Sequence, residues 1–135
     1  MLTIRKEQIH TLRAPKLQRF YQEVLVHVKR HFPEETDNKN DQELVEHIRQ
    51  AVDRAAAYGL KAERDLYLFI NISMLYGPCF DRQEKTAWTK DFLDDKDVSN
   101  SSQRVALLHA EVIRRLALSE RMPEIQRRFY GADGQ

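Results

Sequence analysis

Residues 58–81 read YGLKAERDLYLFINISMLYGPCFD, and the fold turns on the middle of this stretch. Between two tyrosine-glycine pairs, Leu66, Tyr67, Leu68, Phe69, Ile70, Ile72, Met74, Leu75 and Tyr76 leave almost no polar stripe. A helix that is apolar on every side belongs inside a ring of other elements. The pattern therefore predicts a central helix over about 63–76. Glu63 and Asp65 fall in its first turn, where the helix dipole favours negative charge. Gly77-Pro78 ends it.

On the N-terminal side, Gly59 suits the left-handed position that closes a helix, and Leu60 supplies the hydrophobic contact of a Schellman ending. The helix so closed carries Leu44, Val45, Ile48, Val52, Ala55 and Ala56 as its buried stripe. Ala55-Ala56-Ala57 offers a small-residue surface to a neighbour. Asn40 and Glu43 have capping-box spacing, so this helix is expected to begin at Leu44. Residues 34–41, EETDNKND, read as a polar loop with no core-facing residue. Before it, Leu17, Phe20, Tyr21, Val24, Leu25, Val28 and Phe32 recur at three- and four-residue intervals and fall in one helical sector. Pro33 ends that element. A first segment runs from a Thr3 cap to about Arg13. Its Ile9 and Leu12 project roughly 100–160° away from the apolar sector at 3.6 residues per turn. A break is therefore expected at Ala14-Pro15.

On the C-terminal side, Trp88, Phe92 and Leu93 predict a short helix over roughly 83–94. Asp94, Asp95, Lys96 and Asp97 mark a solvated turn. Ser99 or Ser101 is the expected cap of a last long helix through about Arg121, with Val105, Leu108, Val112, Ile113 and Leu116 inward. Met122-Pro123 breaks it, 124–130 add a helical turn through Ile125 and Phe129, and 131–135 form a frayed tail. Sustained two-residue alternation and hairpin signals are missing throughout. The expectation is an all-α single domain over 1–130, a bundle of four main helices plus one or two short ones.

At 135 residues the chain is one domain's worth, enough for a real core. Hydrophobic residues make up 41% and charged residues 32%, the balance of a globular protein with a solvated surface. Its 22 basic and 21 acidic residues give a net charge of +1, which argues against nucleic-acid binding dominated by phosphate contacts. The single cysteine, Cys79, excludes an internal disulfide and a cysteine-rich zinc site. No apolar h-region opens the chain and no run is long enough to span a bilayer, so a cytoplasmic location is expected.

No stretch carries a recognisable catalytic motif. His27 and His31 stand four apart, a spacing that can bring two imidazoles to one metal, yet no third ligand accompanies them. Cys79 follows a helix C-terminus, where the dipole raises a thiol's pKa and works against nucleophilic use. Asp81, Asp91, Asp94, Asp95 and Asp97 cluster near Trp88 and read as a solvated acidic turn. A hydrolase would need two such carboxylates across a cleft, one of them desolvated. Charge is unevenly placed. Residues 1–33 carry seven basic and two acidic groups, whereas 34–59 carry three basic and seven acidic. Complementary neighbouring helices, or a basic face for an acidic partner, both follow from this. The loop Gly77-Pro78-Cys79-Phe80-Asp81, followed by Trp88 and Phe92, stands out. Phe80 and Trp88 read either as core anchors or as exposed interface anchors.

These residues also carry a resemblance. His31-Phe32-Pro33 at a helix end, a Tyr-Gly, an acidic helix start, then Gly77, Pro78, Phe80, Asp81 and Trp88 in order resemble a family of small bacterial helical proteins encoded near type VI secretion and polymorphic-toxin genes. Ala62 stands where that pattern has a capping Thr or Ser. The resemblance spans about residues 3–118. It implies an accessory, adaptor-like or immunity-like role and no catalysis.

The resulting expectation is a non-enzymatic cytoplasmic protein-binding module, an adaptor or chaperone-like partner in a secretion or toxin system. Its expected partner is a secreted effector or toxin, met through Phe80, Asp81, Trp88 and Phe92, with no cofactor, metal, membrane or nucleic acid. The alternatives are an immunity protein that neutralises an intracellular toxin, and a small hydrolase using the acidic loop 81–97.

Overall fold

The computed structural model describes residues 14–119. Within them the chain forms six helices, four of them long, and no strand. The expected segment 3–13 with its junction to Ala14-Pro15, the Met122-Pro123 break, the turn over 124–130 and the tail 131–135 lie outside the described residues.

Helix α1 is described from Ala14 to His31. Phe20, Val24 and Val28, four apart, are buried, and Leu17, Tyr21 and Leu25 flank them half-buried. Phe32 is wholly buried at the exit. The expected polar loop is corrected here. Pro33–Thr36 form a one-turn helix, α2, because Pro33 suits a first helical position. Thr36 faces inward, its Oγ1 donating to the Phe32 carbonyl at 2.9 Å.

Helix α3 spans Asp41–Ala57, beginning three residues before Leu44. The cap decides this. Asn40 Oδ1 accepts from the Glu43 N–H at 2.8 Å, and Glu43 Oε1 accepts from the Asn40 N–H at 3.0 Å, so the first turn lies immediately after Asn40. At the other end Leu60 N–H donates to Ala55 O and Gly59 N–H to Ala56 O, with Gly59 at φ 82°. This is the expected Schellman ending, with Leu60 buried. The buried stripe differs in one place: Ala51 is fully buried whereas Val45 is half-exposed.

Helix α4, Glu63–Tyr76, is the centre, packed by α1, α3 and α6. Leu66, Phe69, Ile70, Ile72 and Met74 are buried, each contributing about 1.5–3 kcal/mol of transfer free energy. Three polar residues are buried with them: Asp65, Asn71 and Ser73. Each is bonded to a different neighbour. Asp65 accepts from Ser102 Oγ, Asn71 Oδ1 lies 2.8 Å from His27 Nε2, and Ser73 Oγ lies 3.1 Å from His47 Nε2. Buried polar groups need such partners. Here they also fix the register of α6, α1 and α3 on the central helix.

The single helix expected over 83–94 is replaced by a 3-10 turn, Glu84–Thr86, and a short helix α5, Trp88–Leu93, and a further 3-10 turn, Phe80–Arg82, precedes them. Side-chain hydrogen bonds hold the turns. Thr86 Oγ1 donates to Phe80 O at 2.6 Å and Thr89 Oγ1 to Thr86 O at 2.7 Å. Helix α6 runs from Ser101 to Ala117, short of the expected Arg121. Its cap is Asn100, whose Oδ1 accepts from the Gln103 N–H. Ser101 is the first helical residue, and neither serine at 99 or 101 caps. Val105, Leu108, Val112 and Leu116 point inward, and Ile113 is half-buried.

Candidate functional site

The chain leaves α4 through Gly77, at φ 107° and ψ 154°, a region only glycine occupies easily. This turn reverses the chain and lays the Phe80–Arg82 turn back onto the bundle. Phe80 has no exposed surface and packs its ring 4.8 Å from Phe69. Its role as a core anchor is thereby accounted for.

Asp81 departs from the expected solvated acidic turn. It is 2% exposed. Arg54 Nη2 donates to its Oδ2 at 2.5 Å and the Tyr58 hydroxyl to the same oxygen at 2.6 Å. Burial pushes the Asp81 carboxyl up, but the bonds from Arg54 and Tyr58 outweigh it and hold the pKa below the usual range. Burial, then the bond to Asp81, pushes the Tyr58 phenol up to about 12. The group pins the last turn of α3 to the loop after α4. Nothing local in the sequence marks Arg54 or Tyr58 for this role; the one signal is the Tyr58-Gly59 pair, which reads as helix punctuation. Of the rest of the acidic cluster, Asp91, Asp94 and Asp97 are exposed as expected, whereas Asp95 is half-buried, its Oδ1 accepting from the Asp97 N–H at 2.9 Å.

Two other polar clusters invite a catalytic reading and do not carry it. Ser73 is fully buried and its Oγ donates to the Ile70 carbonyl at 2.6 Å. His47 Nε2 must then donate to Ser73, the reverse of the polarity that activates a nucleophile. Burial lowers the His47 pKa to about 4, consistent with a neutral donor. His27 and His31 do approach, at 4.6 Å between ring centroids, but His27 is committed to Asn71. Among the described residues, no group of three or more potential ligands comes together. Grooves of about 330 and 790 Å³ are lined by residues of α1 and α3, such as Tyr21, Leu25, Val45 and Glu46, away from Asp81 and Asp91.

Trp88 and Phe92 are the two site candidates that keep a share of their surface. Both are half-buried on α5. Tyr76, Trp88 and Phe92 form an edge-to-face ladder, with successive ring centroids 6.2 Å apart and interplanar angles of 84° and 83°. The Arg115 guanidinium of α6 lies 3.6 Å from the indole centroid, a cation–π contact. Arg115 Nε also donates to Glu111 at 3.0 Å, so the cation is fixed from two sides. Of the four expected site residues, Phe80 and Asp81 are buried in a turn that packs against α5, while Trp88 and Phe92, with Tyr76 and Arg115, present rings and charge. Comparison with protein-family models, with curated proteins and with solved structures finds no match.

Proposed function

We propose that this chain is a protein-binding module that recognises its partner through the Trp88 face. The observation that carries the reading is the ladder of Tyr76, Trp88 and Phe92 with Arg115 seated on the indole. Tryptophan, tyrosine and arginine dominate binding hot spots because they are large, hold few rotamers and combine apolar area with a polar edge. Here the rings are already ordered by one another and the guanidinium by Glu111, so little side-chain entropy remains to be lost on docking. The buried serine and aspartate, each committed to a structural partner, support a non-enzymatic reading. The resemblance to proteins encoded beside secretion and toxin genes suggests an adaptor or chaperone-like role toward a secreted effector, or an immunity role toward a toxin, in the bacterial cytoplasm.

Trp88 is the only tryptophan, which makes its fluorescence a reporter of this face. Full-length bait carrying Phe92→Ala or Arg115→Glu is expected to lose the specific partner that wild-type bait retains from native lysate. That partner, once purified, is expected to shift the Trp88 emission on titration. A partner bound equally by wild type and both folded variants, with unchanged Trp88 emission, would overturn the assignment of this face.

A further inference from the structure

The outward face of α6 carries a second feature, apart from the Trp88 ladder. Leu107 is 50% and Leu118 78% exposed. They stand eleven residues apart, three helical turns with about 20° of residual rotation, so the line that starts at Leu107 ends at Leu118, the residue that caps α6. Glu111 and Arg114 sit between them on or beside that line, and exposed Ala110 lies at its flank. Read in either direction the line is the same: an apolar end, a charged pair of opposite sign, an apolar end. We propose that this face pairs with a second copy of the chain, α6 against α6 antiparallel about a two-fold axis.

Such an interface is isologous, each contact occurring twice. With the axis midway between Glu111 and Arg114, Leu107 meets Leu118 of the second copy, and Glu111 meets its Arg114. Ala110 leaves room for close approach of the two backbones. Within one chain Glu111 accepts from Arg114 at 2.9 and 2.6 Å and from Arg115 at 3.0 Å. Arg114 uses only its Nε and Nη2 there, and its side chain is 62% exposed against 16% for Glu111, so Arg114 is the partner that reaches across to the Glu111 carboxylate of the second copy. Pairing would produce an alternating four-charge network flanked by two leucine contacts. A parallel arrangement sets Glu111 against Glu111 and Arg114 against Arg114. One helix face is a small interface, so the dimer is expected to be weak and concentration-dependent.

The test is sedimentation equilibrium of the full chain from about 1 µM to about 1 mM, a span covering weak association. A rise toward twice the monomer mass is expected. Leu107→Asp and Leu118→Asp are each expected to weaken it about tenfold or more. Both sites are exposed, so circular dichroism should show unchanged folding. Arg114→Glu and Glu111→Arg each bring like charges together and are expected to weaken the dimer, while the double exchange restores it. A monomer at every concentration, or a dimer indifferent to the leucine changes, overturns the proposal. So does a double exchange that fails to restore pairing.

Discussion

A carboxylate that is 2% exposed survives in an apolar surrounding only if its partners replace the water it has lost. Asp81 has two such partners, and one of them, Arg54, retains 24% of its side-chain surface. Breaking a fully buried pair from one side costs about 3–5 kcal/mol, because the remaining charge stays desolvated. Partial exposure of Arg54 lowers that figure, so Asp81→Asn is expected to destabilise by about 2–3 kcal/mol. Tyr58→Phe removes one hydrogen bond to a charged acceptor and is expected to cost about 1.5–3 kcal/mol. Urea unfolding checks both as a lower midpoint at unchanged slope. A wild-type midpoint for Asp81→Asn would show that the group is incidental. The pH dependence has a definite sign. The folded Asp81 pKa lies below its ordinary value, so the contribution is present at neutral pH and disappears as pH falls through the carboxylate range.

At the scale of the element, the caps set the boundaries, and most were legible because a cap is local. Asn40 with Glu43, and Gly59 with Leu60, each occupy at most four consecutive residues, and both motifs form. Asn40→Ala is expected to cost about 1 kcal/mol. A Cβ at Gly59 meets only Ser101 Oγ at 3.9 Å, ordinary contact, so Gly59→Ala is expected to cost the left-handed backbone alone, about 1–2 kcal/mol. Thermal melts of both variants test this, and an unchanged midpoint for Gly59→Ala would deny the left-handed conformation. What the sequence left illegible depended on distance. Asp81 reads as one of five acidic residues in a loop because its partners, Arg54 and Tyr58, precede it by 27 and 23 residues. Thr36 reads as part of a polar loop because its burial follows from Phe32 inserting into the core. Period-based reading also joins the Glu84–Thr86 3-10 turn to α5, since aromatic spacing carries no sign of where the i→i−4 ladder begins. The candidate site divided along the same line: Trp88 and Phe92 keep surface, while Phe80 and Asp81 are held inward by groups remote in sequence.

At the scale of the whole molecule, the three helices around α4 each carry one histidine whose pKa is lowered by burial: His27 on α1, His47 on α3 and His109 on α6. His27 faces Asn71 with His31 and Arg30 nearby, and His47 faces Ser73 with Lys39 nearby. Coulombic repulsion from Arg30 on His27 and from Lys39 on His47 reinforces the downward shift. For a histidine whose folded pKa is depressed, the unfolded chain takes up the proton first as pH falls. Stability from the neutral ring is therefore complete above about 6.5 and is lost progressively down to the folded pKa, which for His47 is about 4. The full shift converts to about 3 kcal/mol, and partial solvation of His47 reduces it to about 1–2 kcal/mol. His27 and His109 add in the same direction. Because the three helices that carry these histidines all pack against one central helix, the loss is expected to appear as one cooperative transition, with far-UV circular dichroism and Trp88 emission changing together between pH 6.5 and 4 in moderate urea. His47→Gln, which keeps a donor toward Ser73 without a titrating group, is expected to flatten part of that dependence. A urea midpoint unchanged between pH 7 and 5 would mean that the buried histidines do not couple α1, α3 and α6 to the centre.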